Sequence, residues 1–212
     1  MACGKLQSAS HPSCVILLYD RRAISVDRKR EQTLIRAAQQ GNSKAFAEIY
    51  RAYVDNIFRY IYYKVESTAM AEDLTAEVFL RMLEGLPTYE DRGTPLLVWL
   101  YRIAHARVVD HYRRTQRAGD QEDIEEADPS IEDDADVPLM AQYKYEQVRS
   151  AIRSLTDGQR QVIIMRFVEG HNLETTARLL NKTIDSIKAM QYRALQALGQ
   201  ALRRQGYHPD ED

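Results

Sequence analysis

The chain has 212 residues, 44% of them hydrophobic, which is enough to bury one or two cores and excludes a generally disordered polypeptide. Its only cysteines, Cys3 and Cys14, make no disulfide framework and fit a reducing cytoplasm. The net charge of −2 hides a segregation: residues 120–136 carry ten acidic and no basic side chains, leaving 21 acidic against 29 basic elsewhere, a basic protein with an acidic insert.

Residues 1–30 are expected to be a disordered extension. Its longest apolar run, "CVILLY", is too short to span a bilayer or to form a signal-peptide core, and no other stretch reaches membrane length. His11 and Cys14 have H-x-x-C spacing, but so few ligands in a tail make a poor zinc site. From about residue 31 apolar residues recur at helical spacing, predicting helices over 31–40, 43–64, 68–86 and 95–116. "GNS" at 41–43 separates the first pair, with Ser43 as the expected N-cap.

The third helix, "AEDLTAEVFLRML", places Asp73, Glu77 and Glu84 on one side and Leu74, Val78 and Met82 on another. Its carboxylates allow three readings. Glu77 and Arg81 at i, i+4 suit a solvated face. Acid–base or di-metal chemistry would need Glu-x-x-His pairs, which are lacking. A docking patch for a basic partner helix is the third. The loop "LPTYEDRGTP" follows, closed by Pro95 where a first-turn proline fits.

"WLYRIAHARVVDHYRR" then carries two faces. Leu96, Leu97, Leu100, Ile103 and Ala104 form an apolar stripe, while Tyr101, His105 and Tyr112 line up roughly opposite, with Arg102 and Arg113 beside them. Rings interleaved with cations suit a single-stranded nucleic acid, whose bases stack and whose phosphates pair. Such side chains also occur on ordinary amphipathic surfaces. His105 and the pair Asp110–His111 do not converge, and no nucleophile elbow, phosphate loop or dinucleotide turn is present, so no catalytic residue, metal or cofactor is expected.

Residues 117–137 lose periodicity and read as an acidic flexible linker. Helices resume near Pro138, with Ala141, Val148, Ile152 and Leu155 as a stripe, and Thr156 with Gln159 as a capping box opening a helix through about Phe167. "NLETTARLLNKTIDSIKAMQYRALQALGQALRR" reads as helix, tight turn, helix. Asn181 sits where a left-handed residue is needed, Thr183 caps the second helix, and Ala177, Leu180, Ile184 and Ile187 supply the contacts between the two. Lys188, Gln191, Tyr192 and Arg193 can face outward with groove-reading chemistry, as in a helix-turn-helix; an αα-hairpin in a bundle is the plainer alternative.

In this order the motifs resemble a bacterial RNA polymerase sigma factor of the extracytoplasmic-function group of the sigma-70 family. "AEDLTAEVFLRMLEGL" resembles the segment that docks on the clamp helices of the polymerase's largest subunit. "TPLLVWLYRIAHARVVDHYRR" is similar to the promoter-melting and minus-ten-reading helix, and "SLTDGQRQVIIMRFVEGHNLETTARLLNKTIDSIKAMQYRA" to the domain that reads the minus-thirty-five element. The resemblance implies an all-α fold. A helical domain over 31–116 and a helix-turn-helix domain over 138–206 would be joined by the acidic linker, with a short tail over 207–212.

It further implies polymerase contacts at Asp73, Glu77, Leu74 and Phe79. Minus-ten contacts fall at Tyr89, Arg92, Trp99, Tyr101, Arg102 and His105, with Arg113 and Arg114 on phosphates; the loop from Tyr89 to Gly93 matches one that cups a flipped base. Upstream contacts fall at Thr183, Ser186, Lys188, Gln191, Tyr192 and Arg193. The implied partners are core RNA polymerase, promoter DNA as duplex and melted strand, and an anti-sigma factor, for a cytoplasmic protein without membrane insertion and without enzymatic activity. Ala106 replaces a common Asn, and "DSIKAM" departs from the family's Gly-Thr-Val-Lys-Ser-Arg run, so promoter preferences do not transfer. A conventional helix-turn-helix repressor or activator, independent of polymerase docking, is the alternative of a different class.

Overall fold

A computed structural model describes residues 27–91, 93–119 and 139–207. Among them the chain forms α-helices and no strand, as the sequence predicts. Helices α1 (Arg28–Gln39), α2 (Ser43–Tyr62), α3 (Thr68–Gly85) and α4 (Leu96–Gly119) build a first unit; α5 (Leu139–Arg153), α6 (Asp157–Ile163), α7 (Leu173–Leu180) and α8 (Ile184–Arg204) build a second. A 3₁₀ turn, Leu86–Thr88, follows α3, and a π-helical turn, Ile164–Val168, follows α6. Cys3, His11, Cys14, Arg92 and all of residues 120–136 lie outside the described residues, while α4 runs to Gly119, three residues into the expected linker. No described helix is long and apolar enough to cross a membrane.

The first unit follows from its periodicity. Ile49, Tyr53, Ile57, Tyr60 and Ile61 of α2 are buried against Leu74, Val78 and Met82 of α3 and Leu100, Ala104 and Val108 of α4. Each such side chain contributes about 1.5–3 kcal/mol on full burial. Two local expectations are corrected. Asn42, not Ser43, caps α2, its side chain accepting from the Lys44 and Ala45 N–H groups at 3.0 and 3.2 Å. Helix α1 starts at Arg28, inside the expected extension.

In the second unit Val162, Ala177 and Ile187 form a small core of their own between α6, α7 and α8. Ile184, expected among these contacts, is exposed because the turn ends just before it. Asn181 adopts the left-handed conformation (φ 51°, ψ 51°), and the Thr183 hydroxyl accepts from Ser186 N at 3.2 Å. Replacing Asn181 with Val places a branched side chain in that region, costing about 1–2 kcal/mol, while Gly is tolerated. Thermal unfolding of the two variants should therefore separate, with Val lower.

The two units share one apolar cluster, in which Ile57, Tyr60 and Tyr101 belong to the same core as Ile152, Leu155, Ile163, Ile164 and Met165. This packing decides which parts of α4 remain accessible.

Candidate functional site

Three surfaces gather the candidate residues. On α3, Asp73 is exposed and Glu77 half-buried, and they share a stripe with Leu80 and Glu84 by helical spacing. Leu80 and Leu83 are 59% and 50% exposed, an apolar centre with carboxylates around it. Leu74 and Phe79, assigned to the same contact from sequence, are instead core residues packed on the inner face of α3. Their helical phase differs from that of Asp73 and Glu77, which turns them inward.

The second surface is the outward face of α8. Lys188, Tyr192 and Arg193 are exposed, and Thr183 is exposed at the N-cap, beside a shallow groove lined by Arg178, Asn181, Lys182 and Ser186. Lys188 pairs with Asp185 at 3.2 Å along the helix surface. Ser186 is half-buried. Gln191 turns partly toward the domain, accepting from Arg166 Nε at 2.9 Å, so it is tied to the scaffold.

The third surface is α4 and the loop before it. Tyr89 and Trp99 lie against one another, ring centroids 4.7 Å apart, both half-buried. Gly85 permits this: a Cβ there would stand 3.1 Å from the Trp99 ring. Arg102, Arg113 and Arg114 are exposed. Tyr101 departs from expectation. It is only 4% exposed, covered by Tyr60 from α2 and by the edge of His171 from the second unit, at centroid distances of 5.1 and 6.2 Å. His105 is half-buried, its Nδ1 accepting from Gln161 of α6 at 3.0 Å, and the Tyr112 hydroxyl donates to the Lys64 carbonyl at 2.5 Å. The ring stripe was expected to face solvent; the second unit sits on it.

The seam between the units is strongly polar. Lys64 has a fully buried side chain and reaches Asp157 at 2.6 Å. Burial pulls its pKa down, partly offset by Asp157. Glu169, just after the π-helical turn and fully buried at its side chain, accepts from Arg59 Nε at 2.9 Å, from a second guanidinium nitrogen at 3.1 Å, and from the Asn56 amide. Arg149 of α5 lies over the Tyr62 ring at 3.7 Å and donates to the Val65 and Glu66 carbonyls at 3.3 and 3.2 Å, just beyond the last turn of α2. His171 Nε2 is buried in this seam without a hydrogen-bond partner, and the Tyr101 hydroxyl is buried beside the Glu169 carboxylate.

Sequence reasoning missed Leu80 and Leu83, although their helical phase beside Asp73 and Glu77 was a usable signal. It also missed Arg59, Lys64, Asp157 and Glu169, for which no local signal exists.

Comparison with known proteins gives two profile matches: Sigma-70 region 2 over residues 49–118 and Sigma-70, region 4 over residues 145–198. The chain is 32% identical to the ECF RNA polymerase sigma factor BldN of Streptomyces coelicolor, covering 94% of this chain and 76% of that protein. It is 30% identical to the ECF RNA polymerase sigma factor SigX of Bacillus subtilis, covering 73% and 82%. Its fold is similar to that of CnrH solved with the cytosolic domain of CnrY, with a TM-score of 0.61 and 19% identity over 82% of this chain and 98% of that one. It is also similar to that of RpoE of Bartonella quintana solved with the anti-sigma factor NepR, at 0.57 and 21% over 76% and 98%.

Proposed function

The chain belongs to the extracytoplasmic-function group of the sigma-70 family, and on that premise we propose that it docks on core RNA polymerase through α3, reads an upstream duplex element with α8 and holds the opened strand on α4. As a sigma factor it directs transcription initiation, and no chemistry is asked of its own residues. Residues 31–116 are the docking and melting unit in this reading, 138–206 the upstream-reading unit, and 117–137 the joint. An anti-sigma factor is a further partner on the same ground.

The observation that carries the reading is the separation of two surfaces on one unit. On α3, Asp73, Glu77 and Glu84 flank two exposed leucines, Glu84 being paired with Arg81 at 2.9 Å, while rings and arginines occupy α4 and its loop. Energetics explain why both are needed. Opening duplex DNA costs roughly 1.4 kcal/mol per stacked step. Each base restacked on a ring returns about 1–3 kcal/mol. These nearly cancel over the few bases one helix holds, so core polymerase must add contacts. Run-off transcription from a library of genomic fragments tests this: transcripts should require the chain together with core, and fall when Asp73 and Glu77 become Ala. Failure to bind core overturns the reading.

Strand capture by Tyr101 and His105 further requires the two units to part. A seam rich in ion pairs, with the buried His171 Nε2 unpartnered, suits separable units better than a permanent interface. Proton linkage gives this a sign. His105 is held below its ordinary 6.5 by burial and then by Lys64, against the opposing pull of Asp157. Burial likewise lowers His171, with Glu169 opposing and Arg59 adding. Both rings therefore favour the closed arrangement while neutral. That contribution is complete above pH 6.5 and is lost as pH falls through the lowered values, because the parted state binds the protons more readily. Energy transfer between dyes on the two units should fall on acidification from pH 7.5, and the response should shrink in His105→Asn.

A further inference from the structure

Helix α1 lies outside the matched region 2 profile, which starts at residue 49, yet its polar side chains converge on the loop between α3 and α4. Gln39 Nε2 donates to the Leu86 and Tyr89 carbonyls at 3.0 and 2.9 Å. Gln32 Nε2 donates to Asp91 at 2.9 Å, and Arg28 pairs with the same carboxylate. Asp91 in turn accepts from Gly93 N at 3.0 Å, at a glycine with φ +80° that turns the loop back toward α4. Glu31 closes the far end. Only 3% exposed, it accepts from Leu96 N, the first residue of α4, at 3.1 Å and from the Tyr53 hydroxyl at 2.5 Å, and it pairs with Arg28.

One helix thus holds this loop at its entry, its middle and its exit. Among its described residues, the segment from Tyr89 to Pro95 has no ladder or helix of its own to fix it. A loop bound only at its ends would sample many shapes, and ordering each residue costs about 1–2 kcal/mol. Burying a carboxylate is costly unless it is hydrogen-bonded, and here its acceptors are spent on the loop's exit and on α2. Glu31 also places negative charge at the N-terminus of α4, where the helix dipole favours it. Hydrophobic contact of α1 with α2 would hold the helix in place without any of these bonds.

We propose that α1 is a splint that presets the base-receiving loop, with Glu31 and Gln39 as positioning residues for capture of an unpaired base. This rests on the reading above in which the Tyr89–Gly93 loop cups that base. A preset loop offers one cavity shape and so selects one base; a released loop binds the strand with little choice at that position.

The test uses holoenzyme assembled from core RNA polymerase and the full chain, binding a pool of single-stranded DNA randomised over about 20 nucleotides, with the bound fraction sequenced. Tyr89→Ala identifies which position the loop selects, by flattening the preference there. Glu31→Ala and Gln39→Ala should lower enrichment at that position about tenfold and leave the other positions unchanged. Glu31→Gln, which keeps an oxygen for Leu96 N and Tyr53, should retain it within about threefold. Gln39→Ala keeps the test open should Glu31→Ala not fold. If Glu31→Ala or Gln39→Ala keeps the wild-type profile while Tyr89→Ala loses it, the splint is wrong and the loop reading survives. Equal loss at every position for the α1 variants marks general destabilisation and also overturns the splint. If Tyr89→Ala changes nothing, the loop reading itself fails.

Discussion

Glu169→Ala is expected to open the free chain and raise its affinity for single-stranded DNA by about ten- to a hundredfold. Glu169 projects from the second unit and is the acceptor for Arg59 and Asn56 of the first. Truncating one partner of such a buried, hydrogen-bonded charge pair costs about 2–5 kcal/mol. Nearly all of that falls on the closed arrangement, since in the parted state Arg59 is hydrated. When only a small fraction of molecules is open, apparent affinity scales with that fraction. The gain therefore follows the shift in population until the open form predominates.

Two readouts check it. Anisotropy of a labelled single-stranded oligonucleotide reports binding, and energy transfer between dyes at exposed Glu84 on α3 and Gln196 on α8 reports separation of the units. Asp157→Asn should act in the same direction by leaving the fully buried Lys64 ammonium without its counter-ion. Duplex binding through α8 should change little, because Lys188, Tyr192 and Arg193 are already exposed in the closed arrangement. Unchanged transfer together with unchanged single-strand affinity would refute masking by the second unit.

The double variant Leu80→Ala, Leu83→Ala is expected to weaken binding to core polymerase by about ten- to a hundredfold. Full burial of a leucine contributes about 1.5–3 kcal/mol, and with about half of each side chain left to bury, the pair supplies roughly 1.5–3 kcal/mol on docking. Both side chains are about half exposed in the free chain, so the fold should tolerate the change, and thermal unfolding should move little. Asp73→Arg with Glu77→Arg should weaken docking through repulsion if the partner surface is basic. Leu74→Ala gives the contrast, since it opens a core cavity and lowers stability by about 2–5 kcal/mol. Competition binding against the unmodified chain measures the first two, and thermal unfolding the third. Wild-type affinity in the leucine pair would remove α3 as the docking face.

Much of the molecule was legible from local rules. Helical periodicity located the elements, the αL position of Asn181 marked the turn before α8, and the helical phase of Asp73 and Glu77 put carboxylates on an outer stripe. These features depend on residues three or four apart, whose relation a helix fixes by itself. Errors arose one step further out. Phe79 lies close in sequence to Asp73 and Glu77 but at a different helical phase, and it is core.

The residues alone specify helices over the described segments, a helix-turn-helix around Asn181 and an acidic stretch over 120–136. Tertiary structure alone decided that Tyr101 lies beneath His171, that Lys64 meets Asp157, and that Glu31 caps a helix 65 residues away. Apolar periodicity says that a face is buried without saying by what. Long-range partners are chosen by the packing of whole helices and by the need of each buried charge for a counter-group, and neither leaves a mark in neighbouring residues.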